Sequence, residues 1–201
     1  MNMDPLSDVL SLLKPRSYMF RGLDVGGQWS LRFPSTEGIR CYAVLSGECW
    51  LVVEGVDEVV LLKPGDCVLL TKRQSSRLGS DTTMAPVDAV AFLSKAPEGG
   101  VATVNGGGNV KGIGGYFDFA GKHAAILLAL LPAIVHIRNE SDRARLRWSM
   151  EMMMQELREP QPGASLLAQH LGHMMLVLAL RLHLAERPRA GVGWLFALAD
   201  K

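Results

Sequence analysis

Between residues 29 and 71, five short apolar runs follow one another at intervals of about ten residues, each closed off by Gly, Pro, Ser or Asp. That punctuation belongs to an all-β sandwich or barrel, because strands of this length need a turn residue at each end. The runs are WSLRF (29–33), IRCYAVL (39–45), ECWLVVE (48–54), EVVLLK (58–63) and DCVLLT (66–71). Ser46-Gly47 and Gly55-Val56-Asp57 read as hairpin turns, where glycine supplies the positive φ that twisted hairpins require. Ahead of the strands, Asp4-Pro5 followed by Leu6, Val9, Leu10 and Leu13 predicts a short capped helix that ends before Pro15.

Residues 94–115 hold eight of the 21 glycines. A strand is expected around 101–104 and a mobile loop over 105–112. No GxGxxG aligns there, and Gly121-Lys122 is followed by His123 rather than Ser or Thr, so neither phosphate-binding fingerprint is present. Past residue 120 the apolar period becomes helical. Ala124–Leu131 reads as a short helix stopped by Pro132. Glu140–Arg158 sets Leu146, Met150, Met153 and Leu157 at three- and four-residue steps, and a last helix runs from about Ala164 to Glu186. The expected organisation is a β domain over 1–119 with its short N-terminal helix, and a helical segment over 120–201.

The last helix is apolar almost all round, and such a helix needs burial on two sides. Leu167, Leu171, Met174, Leu178 and Leu182 form one stripe, read here as the interface of a homodimer. His170 and His173 stand at i and i+3, but no third ligand falls at a matching step, and zinc takes at least three from the protein. The methionines at 150, 152, 153, 154, 174 and 175 read as core, with an adaptable pocket as the alternative. All five histidines fall after residue 120, so no Ser/His/Asp trio can be assembled in the β half.

Charge and cysteine content exclude several classes. Lys and Arg number 21 against 20 Asp and Glu, so the chain lacks the basic excess with which a compact module grips nucleic acid. Cys41, Cys49 and Cys67 are odd in number and have no CxxC spacing, which argues against a disulfide framework or a cysteine zinc site. The N-terminus lacks the plan of a signal peptide, and the apolar runs at 124–135 and 174–184 are too short for a bilayer span of about 20 residues. The expectation is a soluble, cytoplasmic protein with no membrane contact.

Residues 40–78, with YAVLSG, the following strand and glycine, and the KPGD turn leading into VLLT, resemble a cupin core. The ordered series WSLRFPS, CYAVLSGECWLVVEG and LKPGDCVLLTK is similar to the N-terminal sensor domain of AraC-type transcription regulators. GGYFDF (114–119), LLALLPAIVHI (127–137), the helix pair and Gly193-Trp194-Leu195 continue the likeness across nearly the whole chain. The resemblance implies an α+β fold: a cupin-like β-barrel of the jelly-roll kind, followed by a C-terminal helical dimerisation segment. It also implies effector sensing and dimerisation, with the DNA-binding helix-turn-helix pair lying beyond Lys201 and no DNA binding by these residues alone.

Metal-dependent cupins present two or three His and a Glu inside the barrel. By the resemblance, Arg40 stands about where the Glu ligand would be, Tyr42 where many relatives have a His, Arg77 at the place of the second-motif His, and Phe33-Pro34-Ser35 at the HxH segment. Arginine stays protonated and has no free lone pair, so no metal, no other cofactor and no catalytic residue is expected. With a two-residue turn at Ser46-Gly47, Arg40, Tyr42, Val44, Cys49, Leu51 and Val53 share one sheet face. Arg40, Tyr42 and Arg77 then make a candidate site for a small-molecule effector, a carboxylate or other anion, with Trp29 or Phe33 as an apolar wall. The competing reading pairs the arginines with Glu48 or Asp81, or puts them on the outer face. Two other functions stay open: a metal-free cupin enzyme using Glu54, Asp57 or Glu58, and a structural dimerisation domain with a filled barrel.

Overall fold

The ten-residue punctuation resolves, in a computed structural model describing residues 14–120, 128–129, 131–137 and 139–186, into two β-sheets facing each other. In chain order the strands are β1 (Lys14–Val25), β2 (Ser30–Phe33), β3 (Ile39–Ser46), β4 (Cys49–Val53), β5 (Val59–Leu62), β6 (Cys67–Leu70), β7 (Ser76–Gly79) and β8 (Val87–Asp88). A one-turn helix α1 (Val90–Leu93) precedes β9 (Val101–Val104), β10 (Val110–Ala120) and β11 (Ile134–Ile137). Two long helices follow, α2 (Glu140–Arg158) and α3 (Ala164–Glu186). One sheet has the order β11-β6-β3-β10-β1-β9 and the other β5-β4-β7-β2-β8. The predicted N-terminal helix lies outside the described residues, as does most of the one predicted at Ala124–Leu131.

Two apolar layers hold this together. Between the sheets, Trp29, Leu31, Phe33, Tyr42, Val44, Leu51, Leu62 and Leu78 form the barrel interior. On the far side of the six-stranded sheet, Phe20, Cys41, Leu69 and Phe117 pack against Leu146, Met150, Met153, Leu171, Met175 and Leu178 of the helices. The sheet is therefore covered on both faces, which is why IRCYAVL, Arg40 and Tyr42 apart, reads as an apolar run rather than an alternation. Contact is close where glycine permits it: a Cβ at Gly172 would stand 2.9 Å from the Phe117 ring. Asp66 of the KPGD turn ties the layers together, with Arg143 Nη1 donating to it at 3.3 Å and His136 Nε2 standing 3.7 Å away. Asn139 caps α2, its side-chain oxygen accepting from Ser141 N at 2.9 Å.

Four expectations are corrected. First, β3 and β4 do not form a hairpin, since β3 pairs with β10 and β6 while β4 pairs with β5 and β7. Gly47, at φ 70°, turns the chain from one sheet into the other. Second, residues 110–112 are not loop: β10 begins at Val110, and its glycines are demanded by close neighbours. A Cβ at Gly115 would stand 2.3 Å from Met19 O, and one at Gly112 2.9 Å from Ala43 O. Third, the chain past residue 120 is not purely helical, because β11 pairs with β6 at the sheet edge and brings His136 with it. Fourth, Leu171 and Leu178 are buried in the chain's own core. The face that α3 turns to the sheet carries Ala168, Leu171, Met175, Leu178 and Ala179, rotated from the expected stripe. Leu167 and Met174 lie towards the outer side, and the side chain of Leu182 is outside those described.

Leu171→Ala is therefore expected to lower the unfolding free energy by about 2–5 kcal/mol, the usual cost of an emptied core site. Urea denaturation at low and high protein concentration should give the same loss. A cost that vanishes on dilution would return Leu171 to a subunit interface.

Candidate functional site

The barrel interior is not filled. A cavity of about 340 Å³ lies between the sheets, with Ala89, Val90 and Leu93 at or within α1 forming part of its wall. Apolar groups make up most of the lining, and among the described residues no Asp, Glu, Lys or His takes part in it. The polar side chains on its wall include Arg40 and Tyr42 from β3, Arg21 from β1 and Tyr116 from β10.

Strand parity puts them there. On β3, residues 40, 42 and 44 face the cavity, while 39, 41 and 43 face the helices. Cys49, Leu51 and Val53 join the interior from β4. They share it with Arg40 because both sheets face one interior, not because the two strands pair. Trp29 and Phe33, at either end of the β2 segment, also line the cavity, Trp29 with its indole Nε1 buried and unpartnered.

Arg40 is 8% exposed and has only neutral acceptors. Its Nη2 donates to Pro34 O at 2.7 Å and to Thr36 Oγ1 at 3.2 Å, and its Nη1 donates to Tyr42 OH at 3.3 Å. The guanidinium carbon lies 5.5 Å from the centre of the Phe33 ring. Tyr42 OH also meets Ser76 Oγ at 3.0 Å. Burial holds the Tyr42 phenol above its ordinary pKa, and the Arg40 charge works in the opposite direction. No ion pair involves Arg40 or Arg21 among the described residues, so the competing pairing of Arg40 with Glu48 does not form.

Arg77 is not part of this group. On β7, Ser76 and Leu78 are buried, and Arg77 stands on the opposite face, donating to the backbone oxygens of Thr82 and Met84. Its position in a motif gives no strand parity, and a shift of one residue reverses the face. In its place, Arg21 enters the cavity, half-buried, with Nε donating to Ala96 O at 3.1 Å. Met19, Arg21 and Leu23 share the cavity face of β1, with Val25 in the same apolar interior, but YMFRGLDV has no apolar-polar alternation to mark that face in the sequence. His170 is exposed and His173 stacks on Phe119, with ring centroids 6.4 Å apart. Among the described residues, no three His, Cys, Asp or Glu side chains gather into a possible metal site.

Burial pushes the thiols of Cys49 and Cys67 up to about 12, and that of Cys41 up as well. The thiolate is the reactive species, so native protein at neutral pH should react negligibly with a thiol reagent until unfolded. These groups stabilise the fold fully below the unfolded thiol pKa near 9.0. Above it the unfolded chain loses protons that the folded chain keeps, so stability falls as pH rises towards the folded values. A urea midpoint that stays flat from about pH 9 upward would contradict this placement of the thiols.

A cupin family model matches residues 4–185. A relative from Streptomyces lividans, named a putative AraC-like transcription regulator, is 43% identical over 199 residues, 98% of this chain and 65% of its own length. A second of the same name, from Streptomyces antibioticus, is 42% identical over the same shares of the two chains. The chain thus spans 65% of the length of these relatives. Among solved structures, apo ToxT from Vibrio cholerae is a distant likeness, 10% identical, with a TM-score of 0.46 over 85% of this chain and 56% of that one.

Proposed function

The chain belongs to the cupin family, and from that membership we propose that it is the effector-sensing and dimerisation domain of an AraC-like transcription regulator, working in the cytoplasm. The names of the two Streptomyces relatives support the regulatory role. One observation carries the sensing role: Arg40, a buried guanidinium, lines an apolar cavity and has neither a counter-charge nor an acid on that wall among the described residues. Taking a charge out of water costs several kcal/mol unless it is paired, and its hydrogen bonds to neutral oxygens offset only part of that. The effector that completes the site is a small molecule with a carboxylate for the Arg40 fork and an apolar body for the rest of the cavity. An unfilled interior supports this over a ligand-free dimerisation domain. Among the described residues no His, Asp, Glu or Lys lines the cavity to activate a hydroxyl, and burial keeps the Cys49 thiol protonated, so chemistry is not assigned to it.

Effector binding alters the regulator by favouring one arrangement of barrel and helices over another, and only its differential affinity for the two counts. The six-stranded sheet lies between cavity and helices, so a change in cavity packing reaches α2 and α3 through one layer of backbone. For dimerisation, the outward side of α3 offers Leu166, Leu167, Met174 and Val177, with Leu166 57% exposed, and α2 adds Trp148 at 53%. Those residues replace the expected stripe as the proposed homodimer surface.

Decanoate is a suitable probe, having one carboxylate and an apolar chain. At about a hundredfold excess over Kd, it should raise the melting temperature by about 5–10 °C. Arg40→Met should abolish the shift while leaving the ligand-free melting temperature unchanged or higher, because a buried unpaired charge is removed. A variant that melts lower and still responds would make Arg40 a structural residue and defeat the proposal.

A further inference from the structure

The cavity carries a second cation with no ion pair among the described residues, and its placement narrows the effector class. The strand register sets Arg21 beside Gly114 and Gly114 beside Tyr42, while the next row carries Met19, Tyr116 and Arg40. Arg21 and Arg40 therefore stand on one face, two strands apart and offset by two residues. At about 4.8 Å between strands and about 3.3 Å per residue, their Cα atoms are about 12 Å apart. Between them, on β10, the cavity floor carries Gly114 and Tyr116, with Gly112 one row beyond Arg21, and a Cβ at Gly114 would stand 3.0 Å from the Tyr42 ring. Arg21 directs Nε to Ala96 O and Nη1 to Met19 Sδ, both neutral, and its remaining donors are uncommitted.

We propose that the cavity takes a two-headed ligand: an apolar body with a carboxylate held by Arg40 at one end and a second acceptor, a carboxylate or carbonyl oxygen, held by Arg21 at the other. This rests on the sensing role of the Arg40 cavity and adds a second polar pole to it. Two cations on a wall with no acid among the described residues favour a ligand that brings two acceptors over one that brings a single head, since the second acceptor engages Arg21 donors that a single head leaves unused. Gly114 leaves the Arg21 end of the path between the poles bare, and Tyr116 flanks its Arg40 end. Arg21 also holds Ala96, three residues past α1, so a head group bound at Arg21 lies against the segment that closes this side of the cavity.

Calorimetric titration tests this with hexanedioate, octanedioate, decanedioate and dodecanedioate, each against the monocarboxylate of equal length. For the best-fitting length, the diacid should bind about tenfold or more tightly than its monoacid. Arg21→Met should bring the diacid down to the level of the monoacid, whereas Arg40→Met should weaken both. Equal affinity of diacid and monoacid at every length overturns the two-headed ligand and leaves the anion-sensing role standing. Loss of the diacid preference in Arg40→Met but not in Arg21→Met also overturns it. If neither series binds the wild-type protein, both proposals fall together. The wild-type comparison decides the matter without any variant, and Arg21→Lys, which keeps the charge but not the fork, checks that a loss in Arg21→Met is not misfolding.

Discussion

Everything in this molecule depends on the six-stranded sheet being buried on both faces. β3 and β10 cross its middle, with one set of alternate residues in the barrel and the other under α2 and α3. A sheet so covered needs apolar residues at nearly every position, and β3 supplies them from Ile39 to Val44 with two polar exceptions, Arg40 and Tyr42. The sheet is thus at once the wall of the cavity and the bed of the helices. Glycines along β10 thin that wall: Gly112 and Gly114 on the cavity side, and Gly115 against Phe20 on the helix side. Any side chain at these positions would push the layers apart or fill the cavity.

The polar exceptions stand out because the surroundings are so apolar. Arg40 receives three hydrogen bonds' worth of compensation from Pro34, Thr36 and Tyr42 and an aromatic face from Phe33, but no negative charge. A cation–π contact and neutral acceptors together recover a few kcal/mol of an ion's desolvation cost, which leaves the site energetically incomplete. A barrel whose only task was to stand between two subunits would gain stability by placing Met or Leu there. The buried guanidinium is the physical reason for reading the cavity as a receptor. A protonated guanidinium repels a cation, and among the described residues no three His, Cys, Asp or Glu side chains gather to hold one.

Much of this was legible in the sequence, for identifiable reasons. The strands of residues 29–71 were legible because turn residues bracket them, and the face of Arg40 and Tyr42 was inferred from a two-residue turn at Ser46-Gly47. The expectation that Arg40, Tyr42, Cys49 and Leu51 share an interior was right about the face and wrong about the cause: a glycine at φ 70° can close a hairpin or switch sheets, and only tertiary pairing distinguishes the two. Arg77 failed because motif position carries no parity. Arg21 was missed because β1, covered on both faces and interrupted by Pro15 and Gly22, did not read as a strand. The interface stripe on α3 failed for a related reason. A helix apolar nearly all round does not say which side meets its own sheet, and here the packing of Gly172 on Phe117 decides it.

Side-chain nitrogen NMR of the arginines tests the central claim most directly. The Arg40 Nε–H signal, assigned by its absence in Arg40→Met, reports the guanidinium itself rather than the fold around it. On titration with decanoate that signal should move and its exchange with water should slow, as a carboxylate closes over a buried, uncompensated charge. If it stays fixed while decanoate binds and stabilises the protein, the anion sits elsewhere, and the cavity is not the receptor proposed for it.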